Sequence, residues 1–375
     1  SFLQAISQID VSLMAVDEAH CLSQWGHDFR PDYLRLDRAL ELMGRPTVAA
    51  LTATATPEVR QDIRNGLRLN NPQAFVAGFA RPNLAFNIRP TNSNEEKFTH
   101  LIDLIDQKRT GIVYCATRKS VERVSKRLAE ENVDHVTYHG GMDSDTREQM
   151  QEQFISANTD IAVATNAFGM GIDRPDIRFV AHFEVPGSVE AYYQEAGRAG
   201  RDGQFATCDL LFNYADKRIQ EMFLEGSNPP LPIIQGLYEL LRDQANEQQE
   251  IHLSSDDLRQ HLGPRTNPMA IHTALSVLNR SQAIERFDIP GQRLRGTRLL
   301  QPNLPAEKLE IDTHALAEKA ERDAAKLNAM IQFCYSRGCR QAWILSYFGE
   351  TNPEDCGKCN GCKRQDQGDL RPPID

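Results

Sequence analysis

The 375-residue sequence has no apolar run approaching the ~20 residues that a membrane-spanning helix needs. Its first residues carry neither a basic segment nor a small-residue cleavage pattern, so no secretory signal is visible. It begins with Ser1 rather than methionine, which fits a fragment or a processed product better than a natural start. Positive charge is not in excess: 42 Lys and Arg stand against 52 Asp and Glu, a formal net charge of −10. A protein-wide cationic surface is thereby excluded, but a local basic stripe is not, and phosphate contacts need only the stripe. Glycine and lysine are both missing from the first sixteen residues, and the one Gly-Lys pair, Gly357-Lys358, runs straight into Cys359. The sequence therefore has no G-x-x-x-x-G-K-[ST] loop, whose backbone and lysine cradle nucleotide phosphates.

What is present is an ordinary globular composition, 40% hydrophobic and 25% charged, in a chain long enough for several cored domains. The run Val11-Ser12-Leu13-Met14-Ala15-Val16 predicts a short buried strand, and residues 47–51 predict another. From about 91 to 222 a βα grammar follows. A helix precedes Gly111-Ile112-Val113-Tyr114-Cys115, a second helix spans 120–131, and strands are predicted at 136–138, 160–164, 179–183 and 208–212. Strands alternating with helices predict an α/β fold with a mostly parallel sheet. Ser227-Asn228-Pro229-Pro230 reads as a linker. Residues 231–302 then read as three helices and a hairpin, a winged-helix outline, with strands at 284–289 and 294–300 turned at Pro290-Gly291. Arg286, Arg293, Arg295 and Arg298 make this hairpin the densest basic patch, either a solvated surface or a contact for a duplex backbone. Beyond it, Leu316, Ala320, Leu327, Met330, Ile331 and Cys334 recur at helical steps, and Gly338 closes that helix.

Three groups carry chemistry, the first of them in two parts at the ends of successive predicted strands. Asp17-Glu18-Ala19-His20 follows the first predicted strand, where one carboxylate can hold Mg²⁺ and the next can act on an attacking water. Leu51-Thr52-Ala53-Thr54-Ala55-Thr56 closes the next strand with small hydroxyl residues able to couple that site to a neighbouring lobe. In Gln194-Glu195-Ala196-Gly197-Arg198-Ala199-Gly200-Arg201, two arginines three residues apart project from one helical face, suited to neutralising charge on a transferring phosphoryl group. The third group is cysteine. Five of eight lie in the last forty or so residues, and Cys356-x₂-Cys359-x₂-Cys362 offers three thiolates on a tight loop. Tetrahedral Zn²⁺ needs a fourth ligand. Cys334 falls on an apolar helix face and reads as core, which leaves Cys339 past the turn at Gly338. A disulfide pair or an iron–sulfur cluster is compatible with the same spacing.

Together these stretches resemble the RecQ family of superfamily 2 DNA helicases. To them add 21–31, a Cys-Leu-Ser-Gln-Trp-Gly-His-Asp-Phe-Arg-Pro loop, then Ile112-Val113-Tyr114-Cys115-Ala116-Thr117-Arg118 and Tyr138-His139-Gly140-Gly141-Met142. The set closes with Ala164-Thr165-Asn166-Ala167-Phe168-Gly169-Met170-Gly171-Ile172-Asp173. The resemblance implies two RecA-like lobes, the first partial (1–90) and the second at 91–226. A winged-helix-like domain (227–303), a helical zinc-binding domain (304–368) and a tail (369–375) follow. It implies Mg²⁺ on Asp17, water activation by Glu18, and a relay of nucleotide state through His20. Trp25, Phe29 and Arg30 would belong to an aromatic loop on single-stranded DNA, where stacking is worth about 1–3 kcal/mol per base. Packing of Trp25 and Phe29 in a core is the competing reading. Thr117, Arg118, His139 and Thr165 would line the DNA or interdomain face of the second lobe. Gly171 and Asp173 would approach ATP, and Gln194, Arg198 and Arg201 would face its phosphates.

The expected activity is ATP-dependent 3′→5′ DNA unwinding in repair or recombination. Single-stranded and duplex DNA are the expected partners, single-strand-binding or repair proteins further ones, and the location is cytoplasmic or at the nucleoid. Without a phosphate loop, the chain alone is expected to be inactive. The alternative is a non-catalytic DNA-binding adaptor that keeps the fold; an RNA helicase shares the motor but not the aromatic loop and cysteines. One departure from the family is plain: its zinc module usually follows the motor directly, whereas here the winged-helix-like segment intervenes.

Overall fold

The computed structural model of the chain describes residues 6, 8–23, 30–169, 172–263, 265–289, 291 and 294–365. They belong to two compact units, Ser1–Asp216 with Lys326–Asp375, and Lys217–Ala325.

The first unit opens with β1 (Leu13–Val16), α1 (Leu36–Leu42), β2 (Thr47–Ala50) and α2 (Pro57–Gly66). β1 and β2 pair in parallel as a two-stranded sheet. Val16 packs with Leu22, Leu40, Val59, Ile63 and Leu67 into one small core. The expectation that β1 is a buried strand is corrected: Leu13 is 57% exposed and only Val16 is buried. The helices cover one face of the pair, and side chains alternate, so every second residue of β1 faces solvent.

A six-stranded sheet dominates the unit. Its elements run β3 (Leu84–Pro90), α3 (Asn94–Lys108), β4 (Gly111–Tyr114), α4 (Arg118–Glu130), β5 (Val136–Tyr138) and α5 (Ser144–Ile155). Then come β6 (Ile161–Ala164), β7 (Phe179–His182), α6 (Val189–Ala196) and β8 (Ala206–Phe212). All pairings are parallel, in the order β3-β8-β7-β4-β6-β5. The central strands β4, β6 and β7 are buried throughout, as continuous apolar runs flanked by helices require. Side-chain caps set the helix starts: Ser93, Thr117, Asp143 and Ser188 each accept a backbone N–H two or three residues into the turn. A division at residue 90 would leave β3 with the first lobe, yet its full register against β8, from Leu84↔Ala206 to Pro90↔Phe212, places it in this sheet.

Returning at Lys326, the chain completes α11, whose whole span is Thr313–Tyr335, and adds α12 (Arg340–Tyr347) and α13 (Asn360–Gln365). Met330, Phe333, Ile344 and Phe348 join the core beneath β3, β8 and α6. Asn360 caps the outer edge of β3: its amide accepts from Ile88 N at 3.3 Å and donates to Ile88 O at 2.5 Å.

The second unit contains α7 (Lys217–Ser227), α8 (Leu231–Gln244), β9 (Glu250–Ile251), α9 (Ser255–Leu262), α10 (Pro268–Arg280), β10 (Ile284–Asp288) and β11 (Arg295–Leu299). Its antiparallel sheet has the order β10-β11-β9; the three helices and the hairpin follow one another as the sequence suggests, and the short β9 between the first two helices is an element the sequence reading lacked. The unit is wider than 227–303. α7 lies against α10, where a Cβ added at Gly226 would stand 2.5 Å from that of Met269, and Leu309, Ile311 and Leu316 join the core. Ser227-Asn228-Pro229-Pro230 is accordingly a corner inside the unit rather than a linker. Lys319 donates to Ser227 O at 3.1 Å, and Asn228 donates to Asp323 at 3.0 Å.

One buried ion pair in the first unit is exposed to test. Lys97 on α3, fully buried, donates to Asp216 Oδ2 and to Phe183 O, both at 2.6 Å. Breaking such a pair from one side strands the other charge, at a cost of about 3–5 kcal/mol. Lys97→Met should therefore lower the thermal midpoint of this unit sharply, and Lys97→Met/Asp216→Leu should recover most of the loss. A single variant that melts like the parent would show that the pair contributes nothing.

Candidate active site and metal centre

Asp17 and Glu18 leave the carboxyl end of β1. Glu18 adopts a left-handed backbone (φ 48°, ψ 41°), a conformation that costs a non-glycine residue about 1–2 kcal/mol. Surrounding bonds hold it there: Glu18 N donates to Asp17 Oδ1 at 2.8 Å, and Ala19 N to Leu51 O at 2.9 Å. The turn leaves Asp17 exposed, as a metal ligand must be, and offers hard carboxylate oxygens of the kind Mg²⁺ selects. His20 is buried, with Nδ1 3.0 Å from Thr52 Oγ1 and 3.2 Å from Glu18 Oε2. One imidazole thus bridges the acid pair to the Thr-rich run, and Thr52 Oγ1 in turn accepts from Thr54 N at 3.3 Å. Arg30 returns to this place through Arg30 N to Cys21 O at 2.8 Å. Burial raises the Tyr33 phenol, Arg30 pulls it down, and Glu18 and Asp17 push it up, so all three charges share one neighbourhood. Trp25 and Phe29 lie outside the described residues, as do Gly171 and Arg293.

In the six-stranded sheet, Thr117, His139 and Thr165 follow the carboxyl ends of β4, β5 and β6, three adjacent strands. They form one row on the edge where open parallel sheets bind ligands. Thr117 caps α4, accepting from Ser120 N at 3.0 Å, and His139 Nδ1 accepts from Gly141 N at 3.2 Å. Arg118 lies over the glycine pair: a Cβ at Gly141 would stand 2.8 Å from its Nη1. Thr165 is buried.

Gln194 sits half-buried on the last turn of α6, and Arg198 and Arg201 follow that helix. Arg198 Nη1 donates to Gly169 O at 2.6 Å, while its Nε is buried with no acceptor among the described residues. A stranded donor costs about 1–3 kcal/mol, so this guanidinium is built to take one more oxygen. Tyr114, at the end of β4, donates to Phe168 O at 2.8 Å and lies beside Arg198, whose charge opposes the rise that burial imposes on the phenol. The 168–169 carbonyls are therefore held from both sides. Arg201 is already engaged, with Ile172 O and Asp173 Oδ1 each at 2.9 Å. Asp173 is 87% exposed, so this pair is worth about 0–1 kcal/mol and opens easily. Sequence reasoning named the arginines and Asp173 but missed Tyr114, whose place in an apolar strand reads as core.

The basic hairpin differs from its sequence-level appearance. Arg298 pairs with Glu250 at 2.7 Å and Glu285 at 2.9 Å, and its guanidinium lies 5.0 Å over the Phe287 ring. Arg295 pairs with Asp288 at 2.9 Å, its direct cross-strand neighbour. Arg286 donates to Thr297 Oγ1 at 2.5 Å, and burial and then Arg295 push it below its ordinary value. The described arginines are engaged within the sheet, which leaves little net charge for a duplex backbone.

Cys339, Cys356, Cys359 and Cys362 bring their Sγ atoms within 4.8 Å of one another. Four thiolates at about 2.3 Å from one Zn²⁺ have this spacing, so the donor set fits the ion. Backbone N–H groups converge on the sulfurs: Arg340 N donates to Cys359 at 3.3 Å, and Cys356 N to Cys339 at 3.1 Å. Burial alone would raise the Cys359 thiol, but the N–H groups of Arg340 and Cys362 bring it below its ordinary value and favour the thiolate there, whereas burial holds the Cys356 and Cys362 thiols above theirs. Cys334 is buried in the aromatic core away from the four, as its helix face indicated. At the loop's tightest point, a Cβ on Gly361 would fall 1.7 Å from Gly338 O. Gly361→Ala and Cys339→Ser should therefore cut zinc content measured by elemental analysis well below one per chain, whereas Cys334→Ser should retain it. Full zinc in Cys339→Ser would refute this ligand set.

Comparison with known proteins agrees with this geometry. Residues 96–203 match the helicase conserved C-terminal domain, and residues 304–363 match the RecQ zinc-binding domain. The chain is 34% identical over 362 residues to the ATP-dependent DNA helicase RecQ of Bacillus subtilis, covering 96% of this chain and 46% of that protein. It is 32% identical over 362 residues to the probable ATP-dependent DNA helicase RecS of the same organism, covering 96% and 67%. It therefore spans about half to two thirds of the length of these relatives. A solved structure of S. cerevisiae Dbp5 bound to RNA and ADP BeF3 aligns with a TM-score of 0.48 and 19% identity over 57% of each chain. With a parallel sheet bearing the paired arginines, a four-cysteine zinc site and relatives alike over nearly its whole length, the chain belongs to the RecQ family of superfamily 2 helicases.

Proposed function

We propose that this chain supplies the hydrolytic acids, the arginine pair and the DNA-facing edge of an ATP-dependent DNA helicase that moves 3′→5′ on single strands in repair or recombination. The observation that carries the reading is the Arg198 guanidinium, anchored on Gly169 O with its Nε lacking an acceptor among the described residues. A γ-phosphoryl oxygen is the partner such a group fits, because charge developing there in the transition state is what a fixed cation stabilises. Bound Mg²⁺ would neutralise phosphate charge, with Asp17 among its ligands. Glu18 orients the attacking water and accepts its proton. His20 passes the state of Glu18 to Thr52 and the 51–56 run. Arg201 exchanges Asp173 for phosphate oxygens, an exchange made cheap by the exposure of their ion pair. Thr117, Arg118, His139 and Thr165 present hydroxyl, guanidinium and imidazole donors to a single-stranded backbone. DNA stands ahead of RNA because the two Bacillus subtilis relatives reported above are named DNA helicases.

The 375 residues include no phosphate loop, so this polypeptide alone should show no DNA-stimulated ATP hydrolysis above background. Turnover stimulated by single-stranded DNA would overturn that expectation. In a chain joining this segment to a phosphate loop, Arg198→Ala should lower kcat about a thousand-fold, the scale of an arginine finger. Glu18→Gln should leave ATP binding intact while abolishing turnover.

A further inference from the structure

A cleft in the first unit lies apart from the row at the strand ends. It encloses about 340 Å³ between the edge strand β3, the end of α3, the start of β8 and the zinc loop. Among the described residues four cations line it and no carboxylate does: Arg89, Lys108, Lys358 and Lys363. In a chain of net charge −10 this is a local reversal of sign. The nearest acid partner, Asp209, is fully buried behind Arg89, which it holds at 2.6 Å. Lys358 donates to Pro82 O and Lys108 lies 5.5 Å from the centre of the Phe205 ring, so each ammonium group is held by a neighbouring group. Phe205 itself lines the cleft and is 51% exposed. Thr207, also in the lining, is buried, and its hydroxyl has no partner among the described residues.

We propose that this cleft binds phosphodiester groups of a single-stranded nucleic acid, with Phe205 stacking on a base, as a contact separate from the motor's own DNA edge. Phosphate oxygens are the shared chemistry of a strand and of a free phosphate, and the half-exposed ring of Phe205 in the cleft lining favours the strand. Cations interleaved with an exposed ring are what a single strand uses, charge for its backbone and a π-face for its bases. The zinc loop builds one wall: Lys358 lies between Cys356 and Cys359, and Lys363 follows Cys362.

The inference rests on the DNA-binding reading above, and its test separates the two. Binding of a fluorescein-labelled oligothymidine to the full chain would be followed by anisotropy across 50–300 mM NaCl (roughly the range over which single-strand contacts report). Lys108→Ala should make the slope of log affinity against log salt shallower by about 0.7, and Lys108→Ala/Lys363→Ala by about 1.4. Phe205→Ala should weaken binding about five-fold or more with the slope unchanged. Because Lys108 and Phe205 lie away from the cysteines, zinc content should stay at the parent value in those two variants and certify their fold. Parent binding with unaltered slopes and affinities in the variants would overturn the cleft assignment alone. No oligothymidine binding by the parent chain would overturn both readings. Direct binding of pyrophosphate by the parent chain in calorimetry that Lys108→Ala abolishes, with oligothymidine affinity unaltered, would assign the cleft to a free phosphate and overturn the strand.

Discussion

Two tyrosines of α6 hold the arginine-bearing end of that helix in place. Tyr192 meets His182 of the sheet at 4.9 Å between ring centroids and Phe333 of α11 at 5.3 Å. Tyr193 meets Phe86 of β3 at 6.2 Å and Phe348, just past α12, at 5.2 Å. Each ring of this size buries a large apolar area and has a preferred approach geometry, so the helix is wedged in position and orientation. Arg198 and Arg201 emerge within two turns of the wedge. Their aim is therefore a property of the zinc-bearing helices as much as of the sheet. Tyr347 adds a polar tie, donating to Glu190 at 2.8 Å, and Phe79 N donates to Glu350 at 2.7 Å.

The cysteine site bears on the aim of the arginine pair through this packing. Closing four thiolates on one ion fixes the loop from Cys356 to Cys362 against Cys339, the first residue of the α12 cap. That cap starts the helix leading to Phe348. Arg340, buried at the same turn, donates to Phe333 O and to Ser336 O, binding the end of α11 to the start of α12. The insertion of Lys217–Ala325 between sheet and cysteines leaves these contacts intact, because the chain leaves at Asp216 beside Lys97 and resumes one residue before Leu327 of the shared helix. A unit can be spliced into such a fold where its two ends are each pinned by the host.

Legibility from sequence followed the range of the physics involved. β4 and β6 were readable because unbroken apolar runs between turn residues have few other solutions. Cys339 could be told from Cys334 by helix periodicity alone. β3 was hidden because Asn87 and Arg89 interrupt it, and their purpose, facing Asn360 and Asp209, lies far away in sequence. The Pro229-Pro230 corner read as a linker since proline before a helix looks the same in both roles. The hairpin's arginines showed their charge but not their partners. Glu250 lies 48 residues from Arg298, and only strand pairing reveals that the two neutralise each other. Arg198 was legible as a cation and illegible as an anchored one, because the carbonyl that holds it belongs to a different loop.

The amide of Asn360 deserves a last thought as a guard on solubility. β3 has one strand neighbour, β8, and its other side is an open row of backbone donors and acceptors. Such an edge is a template for strand addition between molecules. Asn360 occupies both Ile88 groups in the middle of that row, and it does so from within the metal loop. Loss of the ion would therefore free an edge for pairing with another copy of the chain. Metal content and resistance to self-association are linked through one side chain.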